Sequence, residues 1–371
     1  MIVNNDEKNN ESVIYYQEIF LIFILPFLHL IGIVSNLICV KVFSSLDNFK
    51  TSTFKLLTAN SIISALFLLA LMFTPFTQCF DLCKPWLNVY FIMIIRKYIA
   101  MYVCRLLDTT SALINVTIVM DRYLCIKNIR LKKRNRVIVG TVFLYAIFSA
   151  TLFTPNIFFH NIQLIIDEND TRSYHFEETN FSKNFSAKTI IIGIQYTISM
   201  LSIIVVIIGS ILLIRKLYEQ LRGMNRNLTK FIMVKASQSP KVIIFRPNSK
   251  KKATIGSKKS SPTENVSRLI DIIARPEVVL RCVKKKTVRI IEKQTTILVV
   301  IISVIYIINQ ISTQCFNTAF IFVDTKTEIV LFNFSMIAYN FFAYFFHGTN
   351  IFIYYYFNGK FALELKKLFC K

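Results

Sequence analysis

Long apolar runs recur along the chain, and a polar, charged segment separates each run from the next. Six runs are free of Asp, Glu, Lys and Arg, while a further region, residues 86–120, is interrupted by four charged residues. A helix needs about 20 apolar residues to cross a bilayer. Backbone groups in lipid must bond within their own segment, and the runs lack the alternation of barrel strands, so we expect helices. The predicted spans cover about 19–40, 56–80, 95–124, 137–160, 189–214, 294–320 and 329–357.

The run pattern therefore predicts an all-α membrane protein, a seven-transmembrane helix bundle over residues 19–358. Hydrophobic residues make up 54% of the chain and the mean hydropathy is +0.51. That share is only slightly above the level of about 45–50% in soluble domains. The clustering of hydrophobic residues into long runs, rather than their overall share, therefore indicates a membrane protein. The third span holds only if Arg105 and Asp108 face protein or water, because charges facing lipid are costly.

Charge placement predicts the orientation of the chain. The net charge is +23, and the excess lies mainly in the long loop 215–293, with twenty-one basic and five acidic residues, and in residues 121–136, with seven basic residues. Residues 1–18 carry a net charge of −3. Because Lys and Arg collect on the cytoplasmic side, the N-terminus is predicted to be extracellular in a multi-pass plasma-membrane protein. This placement accounts for the basic excess without a nucleic-acid partner.

The loop 215–293 is predicted to be cytoplasmic, and its ends are expected to continue the fifth and sixth helices. Its lysine clusters and its prolines, among them Pro240, Pro247 and Pro262, argue against a packed domain. It is either a solvated linker or a segment that contacts anionic membrane lipid, and the pattern leaves both interpretations open.

Two short motifs carry a resemblance to a known family. Asp121, Arg122 and Tyr123 end the third predicted span, and the seventh ends with a stretch from Asn350 to Tyr354. These resemble the D-R-Y and N-P-x-x-Y motifs of rhodopsin-like G-protein-coupled receptors, and Asn36 stands in a stretch similar to the family's first-span motif. An acid beside Arg122 at the membrane edge is also, by itself, a natural two-state latch.

The resemblance implies a polar packing hub at Asn36 and Ser64, and a resting pair between Arg122 and Glu292. It also implies a heterotrimeric G protein as the partner. The chain departs from the family at Ser64, where an Asp is usual, and in the sixth span, which lacks C-W-x-P. Residues 156–188 contain no cysteine, so the usual disulfide cannot form, while Cys79 and Cys83 either pair with each other or stay free. These departures resemble divergent invertebrate neuropeptide or chemosensory receptors.

The C-terminal segment 359–371 is predicted to be a short amphipathic helix with a tail. Apolar residues fall on one face and lysines on the other, which is typical of a helix at a membrane interface. Cys370 is either a palmitoylation site or an unmodified thiol. Sequons in the segments predicted to be extracellular give possible glycosylation sites at Asn10, Asn169, Asn180 and Asn184.

Arg105 and Asp108 mark the expected ligand pocket. They are three residues apart and so share a helix face, and charged residues inside a membrane are candidates for function. Asn309 and Gln310 are predicted to lie opposite. The pair either binds ligand or is satisfied internally for helix packing. A peptide ligand that contacts Arg105 is favoured, and an amine is disfavoured because Cys104 occupies the position of the family's amine-binding Asp.

Other functions are less consistent with the sequence. A transporter usually shows paired halves or inverted repeats, which are not evident here. An insect-type olfactory channel has its N-terminus inside. Enzyme motifs and clustered metal ligands are also not evident, so no enzymatic activity, metal or cofactor is expected. The sequence predicts a receptor that passes an extracellular signal to a G protein, with a chemosensory receptor for a small molecule as the alternative.

Overall fold

A computed structural model describes residues 15–16, 19–45, 52–74, 89–127, 135–166, 172–237, 294–314 and 329–369. Six helices among these residues are long and apolar enough to cross a membrane. They are Phe20–Ser45, Ser52–Leu71, Tyr90–Ile126, Val137–Ile157, Thr189–Glu219 and Gln294–Gln314. The protein is therefore a multi-pass membrane protein built on an all-α plan, with one β-hairpin added.

The helices are numbered here in chain order, omitting the short segments Tyr90–Ile94 and Asn180–Lys183. They are α1 Leu25–Ser45, α2 Ser52–Leu71, α3 Cys104–Ile126, α4 Asn135–Ile157, α5 Phe185–Ser237, α6 Gln294–Gln314, α7 Ile329–Gly348, α8 Asn350–Phe357 and α9 Gly359–Phe369. The strands are β1 His160–Ile166 and β2 Arg172–Glu178. Two π-helical stretches, Phe20–Ile24 and Ile95–Val103, lead into α1 and α3.

The third helix accommodates its charged residues by facing them toward protein. The π-helical stretch carries Arg96 and Lys97, and Lys97 is buried. Arg105 and Asp108 follow in the first turns of α3 and are half-buried. The continuous helix Tyr90–Ile126 contains the whole of the predicted span 95–124. The charges that interrupt the apolar run thus lie in and just after a π-helical stretch, a type of segment frequent at functional sites.

Apolar and polar residues are distributed in the reverse of a soluble protein. Large apolar side chains such as Phe27, Val139 and Phe143 are more than 60% exposed. Asn60 and Ser111 are instead buried between helices. An exposed apolar surface of this extent needs lipid around it, and the buried polar groups need partners from neighbouring helices. The inward-facing polar residues therefore define how the helices fit together.

A hairpin between α4 and α5 is the main element that the run pattern does not predict. The fourth span was expected to reach residue 160, but α4 ends at Ile157, two residues after Pro155. The chain then turns into β1, which pairs antiparallel with β2. β2 alternates between polar and apolar residues, the period of a strand. The apolar residues of β1 had extended the fourth run beyond the end of the helix.

The C-terminal part is divided at two positions. The predicted seventh span, 329–357, is broken at Thr349 into α7 and α8, and Asn358 separates α8 from α9. The side chains of Phe361 and Leu365 in α9 are buried, and the Phe361 ring lies 5.2 Å from the ring of Phe43 in α1. Packing of one apolar face thus fixes α9 to the helices that precede it.

The chain divides into two compact units. One comprises residues up to Ile214 and from Thr296 onward, and the other comprises Arg215–Thr295. Within the second unit, α5 continues to Ser237, and the exposed Glu219 contacts Lys216 at 2.6 Å and Arg215 at 3.6 Å. Such exposed pairs add little stability. Residues 238–293 of the predicted basic loop lie outside the described residues.

Candidate functional site

The C-terminal end of α3 is joined to α2 through Asp121. The Ser52 hydroxyl donates to this carboxylate, lying 2.8 Å from both of its oxygens, and the Thr53 hydroxyl donates at 2.5 Å. Asp121 and Arg122 are both buried, and Tyr123 is half-buried. Hydrogen bonds to an ionised carboxylate are roughly twice as strong as neutral ones, so these hydroxyls hold the acid in place of water.

The predicted partner of Arg122 at the start of the sixth span, Glu292, lies outside the described residues. The resting pair between these two residues therefore stays a prediction. The contact between Asp121 and α2 was not predicted, because the sequence indicated only the neighbouring Arg122 as a partner of Asp121.

A second polar junction joins α1 to α7 and α8. The Asn36 side-chain amide donates to the carbonyl of Gly32 at 2.8 Å and to the carbonyl of His347 at 2.6 Å. The Asn350 amide donates to Asn36 Oδ1 at 3.2 Å and to the same His347 carbonyl at 3.3 Å. Both asparagine amides thus bind the carbonyl of His347, which lies two residues before the break between α7 and α8 at Thr349. Asn36 and Asn350 are the residues expected from the sequence to serve as hub and switch.

Two glycines make this junction possible. A Cβ atom on Gly32 would lie 3.0 Å from the Gly348 Cα and 2.7 Å from Leu68 Cδ1. A Cβ atom on Gly348 would lie 2.7 Å from the Tyr344 ring. Small residues allow membrane helices to approach closely, and here they bring Asn36 within reach of α7.

A third cluster joins four helices around the side chain of His347. Ser64 Oγ in α2 lies 3.0 Å from His347 Nδ1, and His347 Nε2 lies 3.6 Å from Asp108 Oδ1 in α3. The Gln310 amide in α6 approaches the two Asp108 carboxylate oxygens at 3.4 and 3.5 Å. His347, Ser64 and Gln310 are buried, whereas the Asp108 side chain is 14% exposed. We call these four residues the His347 cluster.

The expected ligand pocket is therefore assembled only in part. Asp108 and Gln310 are close, as the sequence predicts. Asn309 is buried in the next position of α6, and its side-chain oxygen has no hydrogen-bond partner among the described residues. Arg105 is half-buried one turn before Asp108. The structure places His347 and Ser64 beside these residues, and the ligand pocket itself stays a prediction.

Two further polar links were not singled out from the sequence. Ser111 donates to Asn60 Oδ1 at 2.8 Å, which ties α3 to α2. The hydroxyls of Tyr306 and Ser202 lie 2.8 Å apart and tie α6 to α5. Serine gives no distinctive signal in an apolar run, because its hydroxyl can also bond to the backbone of its own helix.

Tyr354, from the motif that ends the seventh predicted span, is completely buried. Its ring lies 4.9 Å from that of Phe43 and 5.5 Å from that of Phe361. Tyr354 thus packs between α1 and α9, so movement of α8 would disturb both contacts.

Only some of the predicted modification sites fall on described residues. Asn180 and Asn184 are exposed at and after the turn that follows β2. Within the Asn180 sequon, Ser182 is buried and bonded to Glu178. Asn10, Asn169, Cys79, Cys83 and Cys370 all lie outside the described residues. Among the described cysteines, Cys39 and Cys104 are buried and free, and Cys125 is exposed.

His347 is the residue that the sequence interpretation missed. It is one of four histidines that lie apart from one another in the sequence. The sequence did offer a signal for His347, because it is a lone titratable residue inside an apolar span, three residues before Asn350. Such residues are functional candidates by default.

Ser64, His347 and Asp108 have the residue types of a hydrolase triad, but their setting does not favour nucleophilic catalysis. Ser64 is completely buried and lies inside α2, where backbone amides bond along the helix. An oxyanion hole needs amide donors aimed at a reacting carbonyl, and helical amides are already used. The arrangement is better suited to joining helices reversibly than to attacking a substrate.

Comparison with known proteins adds no family assignment. No protein-family model matches the chain, and no curated protein is detectably similar to it in sequence. Functional inference therefore depends on the residues and contacts described above.

Proposed function

We propose that this protein is a divergent rhodopsin-like G-protein-coupled receptor that transmits an extracellular ligand signal across the plasma membrane. The observation that carries the proposal is the position of the residues that resemble family motifs. Asn36, Asp121, Arg122, Asn350 and Tyr354 are far apart in sequence, yet all are buried on inward faces of the helices. Residues that face lipid, or that match the motifs only by chance, would not all be buried in this way.

In this proposal α7 is the seventh span and α9 lies along the inner membrane surface. The positive segments 121–136 and 215–293 face the cytosol, where the long segment also contacts anionic lipid, and the N-terminus is extracellular. α9 suits this placement because it buries Phe361 and Leu365 while Lys366 and Lys367 stay exposed.

The proposed mechanism is a shift between two helix arrangements. A ligand that favours one arrangement increases its population. In the resting arrangement Asp121 is held by α2 and Arg122 pairs with Glu292. Activation separates the inner ends of the third and sixth helices and opens a groove for a heterotrimeric G protein.

Replacing Arg122 with alanine tests the proposal. We expect a loss of most ligand-stimulated nucleotide exchange on co-expressed G proteins, because the side chain that changes partners is removed. Lys127→Ala is the matched control, since this exposed basic residue lies just after α3. If Arg122→Ala signals normally at equal surface expression, the receptor mechanism is refuted.

Orientation is tested separately with an epitope tag before residue 19. We expect antibody to label intact cells. Labelling only after permeabilisation would overturn the proposed topology and, with it, the receptor function.

We further propose that the ligand is a peptide whose acidic or amidated end contacts Arg105. Arg105→Ala should abolish the ligand response while surface expression holds, because the residue lies one turn outward from the His347 cluster. Peptide and odorant libraries should be screened in parallel on the wild type. Activation by odorants alone would replace the peptide with the small-molecule alternative, and a normal response in Arg105→Ala would exclude this residue as a contact.

A further inference from the structure

The β-hairpin leaves one edge of β1 without a neighbouring strand. Among the described residues the sheet consists of β1 and β2, so β1 has a partner strand on one side alone. The Thr179 amide donates to the Phe159 carbonyl at 3.1 Å, in register with the strand pairs. Hydrogen-bonded and non-hydrogen-bonded pairs alternate along an antiparallel ladder. The amides and carbonyls of Ile162, Leu164 and Ile166 therefore point away from β2.

The composition of β1 favours pairing with a further strand. The strand reads HNIQLII and contains no Asp, Glu, Lys, Arg or Pro. Leu164, Ile165 and Ile166 are 46, 47 and 57% exposed. Proteins usually protect an edge strand with charge, proline or a bulge, and an exposed apolar edge is a template for another strand. β1 thus offers main-chain donors and acceptors next to exposed apolar side chains.

The edge of β1 is complementary to a second copy of itself. When two β1 strands lie antiparallel about a two-fold axis at Leu164, the two Leu164 residues face each other, and Ile162 faces Ile166 of the second copy. These pairs are all apolar, and no like charges oppose each other. Such a two-fold contact closes after two copies. The outer strands of the combined sheet are then the β2 strands, whose exposed Glu177 and Glu178 discourage further addition.

The packing of the hairpin agrees with a dimer in a single membrane. Tyr174 is paired with Leu164, and residues directly opposite each other in a ladder point to the same side of the sheet. The ring centroids of Tyr174 and Tyr90 are 5.1 Å apart, and Tyr90 begins the apolar helix Tyr90–Ile126. Because the two-fold axis is perpendicular to the sheet, both copies place this helix on the same side, as insertion into one membrane requires.

We propose that the free edge of β1 is a homodimer interface, in which the β1 strands of two copies pair about Leu164 and form a continuous four-stranded sheet. An extended peptide ligand and membrane lipid are the other occupants to test. A second copy fits better, because it supplies an unpaired strand of matching length and apolar pattern. The proposed peptide contact, Arg105, lies in α3 instead. This inference goes beyond the proposed receptor function and does not depend on it.

Disulfide cross-linking of the full-length protein in membranes tests the register. At the two-fold axis the Cα atoms of the two Leu164 residues are expected about 5.5 Å apart, within the range of about 4.4–6.8 Å that a disulfide spans. After mild oxidation, Leu164→Cys should give several-fold more cross-linked dimer than the wild type, whose native cysteines set the baseline. Asn161→Cys is the matched control, because Asn161 is exposed on the same strand but about 20 Å from its copy in this register. It should stay at the baseline.

A proline substitution tests the main-chain hydrogen bonds. Leu164→Pro removes the amide hydrogen that points away from β2 and leaves the bonds between β1 and β2 in place, and edge strands tolerate proline. We expect the dimer of the purified protein in detergent, measured by light scattering, to be about tenfold weaker, because each copy loses one donor. Leu164→Val keeps the amide and should dimerise like the wild type.

A monomeric wild type would overturn the proposal, as would equal cross-linking of the Leu164→Cys and Asn161→Cys variants. If Leu164→Pro does not fold, the cross-linking experiment decides alone. In a monomeric Leu164→Cys variant, protection of the new thiol from a water-soluble maleimide by the membrane alone would assign the edge to lipid. Protection that requires a peptide found to activate the protein would assign it to the ligand. Either result refutes the dimer, and none of these measurements depends on G-protein coupling.

Discussion

Replacing Gly32 with leucine is expected to abolish the folded bundle, and Gly32→Ala is expected to destabilise it by about 1–3 kcal/mol. A Cβ atom at this position meets the Gly348 backbone at 3.0 Å and Leu68 at 2.7 Å. A side chain can rotate away, but the backbone of α7 cannot move without stretching the bonds between Asn36 and the His347 carbonyl. The measurement is the yield of monodisperse protein and its thermal midpoint in detergent.

The control for this prediction is the same substitution in another helix. Gly140 in α4 is exposed, and a Cβ atom there meets nothing within 4 Å. Gly140→Ala should therefore be neutral or stabilising by about 0.5–1 kcal/mol, since alanine loses less backbone entropy in a helix. Equal effects of the two alanine substitutions would mean that the close approach of α1 and α7 does not matter for stability.

Much of the helical framework was predictable because apolar runs of bilayer length have few alternative structures. Every predicted span overlaps a helix. The differences lie at the span ends and at the break at Thr349, which composition alone does not predict. The fourth run continued past Pro155 because lipid-like composition does not distinguish the end of a helix from the first strand of a hairpin. The alternation in β2 carried the missing signal, but over only seven residues.

The polar contacts were harder to predict, for a physical reason. Asn36 and Asn350 stood out because amides are conspicuous in apolar segments and matched a known pattern. The pairing of Asp121 with Ser52 and Thr53 depends on the relative depth of α2 and α3, which single-helix patterns do not contain. The same holds for His347, whose partners come from three other helices.

Under the proposed receptor function, releasing Asp121 from α2 is expected to raise basal signalling several-fold. In the double variant Ser52→Ala with Thr53→Val, the carboxylate loses two donors, each worth about 1.5–3 kcal/mol to a charged acceptor. Every 1.4 kcal/mol changes an equilibrium tenfold, so even partial loss shifts the population toward the arrangement in which Arg122 is released. The measurement is ligand-independent nucleotide exchange on G proteins, normalised to surface expression.

Thr58→Val is the matched control on the same helix, because the Thr58 hydroxyl bonds only to the carbonyl of Phe54 in the structure. It should leave basal signalling unchanged. The thermal midpoint of the double variant should also fall, since the inner ends of α2 and α3 lose a shared contact. A lower midpoint with unchanged basal signalling would make Asp121 a packing residue and contradict its place in the latch. Higher basal signalling together with a lower midpoint would link the stability of this contact directly to the resting state.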